Sequence, residues 1–156
     1  MKSISDTEVS GARRLRGQIL LLGVVFGLGS ALELASLRHW NGTQIIPWIV
    51  LAILAVGYGF AVRRFAQWAI KWISGSTVAA SAFGVWQHVK SNHATAVLDA
   101  RYEYTWKTFS SAKQWWLSAS GGVGSSPPLV PLVTIFCAAL LWIGNGVQES
   151  PRDVHS

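Results

Sequence analysis

The stretch Trp72-Ile-Ser-Gly-Ser-Thr-Val-Ala-Ala-Ser-Ala-Phe-Gly-Val-Trp-Gln-His-Val89 decides how this chain folds. It is close to the roughly 20 residues a helix needs to cross a bilayer, yet it is mostly Ser, Gly, Ala and Thr. On hydropathy alone it reads as a soluble or interfacial helix. Two features argue that it spans. Ser76, Ala80, Gly84 and His88 recur at every fourth position, a stripe of small side chains of the kind that lets membrane helices approach closely. An even number of spans also puts Arg13, Arg14, Arg16, Arg63, Arg64 and Lys71 on one side, with Arg38 and Lys90 near the opposite ends. The excess of basic residues then marks the cytoplasmic side.

Three other segments, Gly17–Ser36, Ile45–Val62 and Leu129–Gly146, are apolar enough to span without further argument. Together the four predict an all-α fold: one transmembrane domain over residues 1–156, built as a four-helix bundle with both termini cytoplasmic. Residues 90–128 form an extracytoplasmic, aromatic-rich interfacial segment. Composition agrees, with 51% hydrophobic residues, 13% charged residues and nine tryptophans, a distribution suited to two membrane interfaces. The net charge of +6 would suggest nucleic acid as the partner of a soluble chain. Here the charges flank apolar segments, so they read as topology determinants and as attraction to anionic lipid, and no nucleic-acid partner is expected.

Cys137, the one cysteine, lies inside an apolar run, which excludes an internal disulfide. The apolar stretch from Gly17 is longer than a signal-peptide core and has no clear small-x-small cleavage site, so it reads as retained. Indole rings prefer the headgroup level. Trp40, Trp48 and Trp86 fall at the outer ends of the expected spans, and Trp68, Trp72 and Trp142 at the inner ends.

Asn41-Gly42 is a turn signal between the first two spans, and Pro47 sits in the first turn of the second, where a missing N–H costs little. Asn41-Gly42-Thr43 also fits a glycosylation sequon, but the tight turn accounts for Asn-Gly. Ser125-Ser126-Pro127-Pro128 gives a similar start to the last span. Gly23, Gly27, Ala31 and Ala35 form another every-fourth stripe on the first span, and Ala55 and Gly59 lie on the second. These read as helix-packing faces within the chain, with dimer contacts as the alternative. In the outer segment, Trp106, Phe109, Trp115 and Trp116 with Lys107 and Lys113 suggest one or two short helices in the interface. Trp40, Trp48, Trp86, Trp106, Trp115 and Trp116 are the expected interface anchors.

Chemistry-bearing residues are few. Glu33 is the one carboxylate inside a span and therefore a candidate site, unless it pairs with Arg38 or Arg101. His39, His88 and His93 share its outer level, and with Glu33 they are the right ligand types for Zn²⁺ or Cu²⁺. The plainer reading has His88 hydrogen-bonded to Glu33 or Gln44, and a haem held by His39 and His88 is a weaker one. Asp99, Arg101 and Glu103 read as a local salt-bridge set. Phosphate-binding glycine loops, HExxH, a nucleophile elbow and CxxC are all absent from the sequence. No cofactor is expected; a metal ion or haem is the alternative.

The outline Glu33, Arg38-His39-Trp40, Gln44-Ile45-Ile46-Pro47, His88, Asn92 and Pro127-Pro128-Leu129-Val130-Pro131 resembles small four-span bacterial membrane proteins that carry no assigned activity. That resemblance implies the architecture and a bacterial inner membrane, and it supplies no mechanism. The leading expectation is a non-catalytic structural or accessory subunit that packs against other membrane proteins or against itself. The alternatives are a metal- or haem-binding membrane protein and a proton-coupled small-solute transporter using Glu33.

Overall fold

The computed structural model describes residues 4–124 and 128–147. The expected Ser125-Ser126-Pro127 start of the last span and the tail from residue 148 lie outside them. The described residues are helical and contain no strand. The long helices are α1 (Ile4–Ser36), α2 (Ile46–Arg63), α3 (Gln67–Thr95) and α5 (Leu129–Gly146); the short α4 (Ser111–Ala119) lies in the α3–α5 connection. Three are long and apolar enough to cross a membrane, through Val9–Ser36, Gly42–Arg63 and Leu129–Gly146. At 29 residues, α3 is about 43 Å long, but its Ser, Thr, Gly and Ala content keeps it outside that group.

Helix ends explain the connections. α1 closes with Arg38 in the left-handed region (φ 51°), and the His39 N–H reaches back to the Leu34 carbonyl at 3.0 Å. α2 closes in the same way on Arg64 (φ 56°), with the Phe65 N–H on the Phe60 carbonyl at 2.9 Å. The Phe60 and Phe65 rings meet edge to face at 5.5 Å, supplying the apolar contact that accompanies this kind of helix stop. Arg16 of α1 donates to the Ala61 carbonyl in the last turn of α2. A cation thereby sits where that helix's carbonyls carry partial negative charge. At the other end the Trp40 and Trp48 rings stack at 4.8 Å, and the Trp48 indole N–H donates to the His39 carbonyl at 2.8 Å.

The end carrying the α1–α2 turn is the upper end below; the end carrying the α2–α3 turn is the lower. α5 packs most extensively on α1 and α3, and α2 touches all three. Its register against its neighbours fixes the directions. A Cβ on Gly144 would meet Leu20 at 2.8 Å, Phe136 meets Phe26 at 5.3 Å, and Val130 shares a cluster with Leu34. α5 therefore runs antiparallel to α1. It also runs antiparallel to α3, since Thr134 pairs with Ser81 and Pro131 packs on Gly84. α2 and α5 consequently run in the same direction, and α3 climbs from Ile70 in the lower cluster to Gly84 at the upper end.

The interior mixes apolar and hydroxyl side chains. Leu20, Leu54, Tyr58, Ile70, Cys137 and Leu141 form the lower cluster; Leu34, Leu51 and Val130 form the upper one. Tyr58 Oη donates to the Cys137 carbonyl at 2.6 Å, and the Cys137 thiol lies 3.4 Å from the Gly23 carbonyl. The Ser81 and Thr134 hydroxyls bond at 2.7 Å, and Thr134 also donates to the Pro131 carbonyl at 2.8 Å.

The buried row of α3 is Ile70, Ser74, Thr77 and Ser81, and it corrects the expected stripe. Ser76 and Ala80 are exposed, and Gly84 and His88 half-buried. A helix turns 3.6 residues per turn, so an every-fourth row rotates by about 40° at each step and winds off its face. Steps of four, three and four stay on it, and the two rows converge at Gly84 and His88.

The glycines of α1 separate in the same way. A Cβ on Gly23 would lie 1.7 Å from Tyr58 Oη, whereas one on Gly27 would meet nothing within 4 Å. Gly23→Ala should therefore destabilise the protein by about 2 kcal/mol or more, within the range of overpacked interiors. Gly27→Ala should leave stability unchanged or slightly raised. Thermal unfolding of the two variants in the same detergent checks this, and equal losses would contradict the packing.

Candidate functional site

Residues 96–124 fold into a lobe on the upper end of α3. Its core is Ala96, Trp106 and Val123, with Tyr102, Phe109 and Leu117 packed around it. Trp106 is 4% exposed. It therefore fills the lobe interior and lacks the open ring face expected of an interface anchor, because Tyr102, Phe109 and His93 all close on it, at 6.4, 6.3 and 5.6 Å. Trp40, Trp86, Trp115 and Trp116 are exposed and Trp48 is half-buried.

The lobe is tied to α3 by polar and aromatic contacts. Asn92, 2% exposed, donates from Nδ2 to the Ser118 carbonyl at 3.2 Å. The Ser118 hydroxyl donates to the Gln114 carbonyl at 2.8 Å, and the Gln114 amide donates to the Trp106 carbonyl at 2.8 Å. Gly124 crosses beside this knot with φ at +77°, and any Cβ there would lie 2.3 Å from Asn92 Oδ1. Glycine is thus required for both space and conformation. His93 stacks on Trp115 at 4.2 Å, and Trp115 stacks on Trp86 at 5.6 Å, so α4 is clamped along the last turns of α3. Ser110 caps α4 by accepting from the Lys113 N–H.

Outside this core the lobe exposes large apolar or aromatic side chains among its polar ones. Leu98 is 81% exposed, Tyr104 87% and Trp116 70%. Lys113 lies 3.6 Å over the Phe109 ring, a cation–π contact that keeps its charge beside the aromatic surface. Arg101 makes a bidentate pair with Asp99, 2.9 and 2.6 Å, and its backbone N–H also reaches the same carboxylate. Those bonds hold the Asp99 carboxyl below the usual carboxylate range. Of the expected Asp99–Arg101–Glu103 set, the Asp99–Arg101 pair is made.

The residues expected to hold a metal are not assembled. Among the described residues no three His, Cys, Asp or Glu side chains come together as a metal-holding group. His93 is occupied by its two tryptophans. His39 sits at the α1–α2 turn, half-buried, with its Nδ1 meeting no hydrogen-bond partner among the described residues. His88 is half-buried on α3, and Glu33 half-buried on α1. Arg101, one expected partner of Glu33, is engaged by Asp99.

A groove lies between α1 and α2, about 590 Å³ in volume and mostly apolar. Gly23, Gly27 and Ala31 line one wall and Ala55 and Gly59 the other, with Trp48 at the upper end and Arg63 at the lower. The small-residue stripes of the first two spans thus face each other across open space, except where Tyr58 packs on Gly23. The sequence alone assigned no structural role to Asn92, Gly124 or Tyr58. Asn92 was within reach, since it lies on the same helix face as Ile70, Ser74, Thr77 and Ser81 at a 3.6-residue period, and a polar residue on a buried row marks a tertiary contact.

Replacing Asn92 by Leu leaves the Ser118 carbonyl buried without its donor, a loss of about 1–3 kcal/mol. The expected outcome is local: faster amide hydrogen exchange through residues 111–124, with α1 and α5 unchanged. Exchange that rose equally in every helix would mean the lobe is not a separately tethered unit. No protein-family model, curated protein or solved structure matches this chain.

Proposed function

We propose that the chain is a four-span, non-catalytic membrane protein that holds an aromatic lobe on the extracytoplasmic face, where it serves as a docking element of a membrane assembly. The parity of the helices supports the fourth crossing. α2 and α5 run in the same direction, and each is apolar enough to span. A chain leaving α2 at the lower face must cross back before it can enter α5 at the upper face, and α3 is the long helix in between. Ser81 of its buried row bonds Thr134 of α5, the kind of interhelical contact that accommodates such a helix inside a bundle.

Sidedness follows from the charges. Arg13, Arg14, Arg16, Arg63, Arg64 and Lys71 belong to the lower end, which is then cytoplasmic, and the lobe is outside. A cell inner membrane suits this arrangement. Single cysteines introduced at residues 65 and 104, in a Cys137→Ala background, test it. A membrane-impermeant maleimide added to intact cells should label the cysteine at 104 and spare that at 65; labelling of both, or of 65 alone, rejects the four-span orientation.

The observation that carries the docking role is the lobe itself. It has its own buried core and a fixed seat on α3, yet it presents Leu98, Tyr104 and Trp116 on its surface. Rigid aromatic rings with little conformational entropy to lose are favoured at interface centres. Purification from native membranes in mild detergent should retain a specific membrane-protein partner. Trp116→Ala combined with Tyr104→Ala should lower its retention about tenfold or more, within the range of hot-spot losses. Recovery of the monomer alone from wild-type membranes would reject the role.

A further inference from the structure

The groove between α1 and α2 is unfilled where two membrane helices would ordinarily close. A Cβ on Gly27 or Gly59 would meet nothing within 4 Å, so bare backbone lines part of its walls. Its ends differ in chemistry. Trp48 closes the upper end, and Arg63, in the last turn of α2, stands at the lower. Arg16 is directed at the Ala61 carbonyl, whereas among the described residues no hydrogen bond or ion pair engages Arg63.

From Trp48 to Arg63 the groove follows about 22 Å of helix. A helix crossing the hydrocarbon core displaces on the order of 2,000–3,000 Å³, from a diameter near 10 Å and a length near 30 Å. The groove's 590 Å³ would take only a sliver of one. Counting about 30 Å³ for each methylene, roughly the liquid volume of a water-sized group, a chain of about 16 carbons fills roughly 500 Å³. Volume therefore favours a lipid tail over a helix, and the Arg63 guanidinium lining the lower end of the groove favours a phosphate.

We infer that the α1–α2 groove is a binding site for one anionic phospholipid of the cytoplasmic leaflet, its phosphate on Arg63 and one acyl chain laid along Val62, Gly59, Ala55 and Gly27. This rests on the orientation proposed above, which places the lower end at that leaflet. The guanidinium selects headgroup charge; the glycines make room for the tail. The two halves of the site are separable by mutation because they act on different parts of the lipid.

The test is native mass spectrometry of the full chain released from nanodiscs of phosphatidylcholine with one-fifth phosphatidylglycerol. The wild-type protein should retain one lipid, enriched in phosphatidylglycerol. Arg63→Gln should cut the preference for phosphatidylglycerol over phosphatidylcholine about fivefold, the worth of one basic residue at an anionic surface, while a lipid is still retained. Gly59→Leu should abolish retention of either, and Gly59→Ala, with a side chain too short to fill the groove, should keep it. Equal retention of both lipids by wild type, or retention that survives Gly59→Leu, overturns the proposal. So does a dimer that Gly59→Leu disrupts, since a second copy would then be the occupant. Failure of the chain to enter the bilayer is distinguished by the cysteine labelling, which would fail with it.

Discussion

The arrangement depends on one junction, where Tyr58 of α2 enters the space that Gly23 leaves on α1 and donates its hydroxyl to the Cys137 carbonyl on α5. The Cys137 thiol then turns to the Gly23 carbonyl, so three helices meet through two bonds and one missing side chain. Within a bilayer, lipid tails solvate leucine as well as another helix does, and association falls to close packing and polar bonds. A junction of this kind fixes rotation as well as distance. Rotating α2 by one position would withdraw the hydroxyl and drive the ring into α1. With α2 and α1 locked in register, Gly57 can admit Leu141 and Ile73, and Gly144 can admit Leu20, which is what seats α5 between α1 and α3.

That seat explains how α3 packs one face into the bundle with so few large side chains on that face. Its Ser81 bonds to Thr134, and Thr134 also returns a bond to its own helix at Pro131. A window average cannot register this, because it counts the Ser81 and Thr134 hydroxyls as though nothing answered them. Hydropathy therefore locates α5, whose Leu129–Gly146 range is the apolar segment itself, and α2 to within a residue at each end, and it is nearly blind to α3. The every-fourth stripe found that helix by its composition and then misplaced its face. Ser76 and Ala80 drift out while Ser74, Thr77 and Ser81 stay in, because only steps averaging near 3.6 track a line of contact.

The lobe was legible in a coarser sense. Its aromatic run predicts one or two short helices, and α4 is such a helix, but the identity of the ring that turns inward is decided by tertiary closure. Trp106 and Trp115 look alike in sequence. One is the lobe's core because Gln114 accepts the task of satisfying its backbone carbonyl and Val123 folds back over it. The other is a spacer between Trp86 and His93. The same closure stacks His93 on Trp115 and brings Trp106 edge-on to it. The four expected ligands failed to converge for a related reason. They lie toward the same end of the bundle but on different elements and at different heights along α3, which sequence does not resolve.

The groove shows how the same small residues can serve two opposite ends. A Gly-and-Ala stripe shortens the distance between helices only if nothing larger on the same interface sets that distance first. Between α1 and α2, Tyr58 stands low and the Trp48 indole, bonded to the His39 carbonyl, stands high. Those two rings hold the helices at the separation their own bulk demands, and Arg16 on the Ala61 carbonyl fastens the lower end. At that separation Gly27 and Gly59 cannot reach across, and the stripe that would have closed a tight pair instead becomes the wall of a slot. Filling the slot with larger side chains would have bound α1 to α2 more firmly. Its persistence as bare backbone beside Arg63 is the reason to look for an occupant that comes from the bilayer.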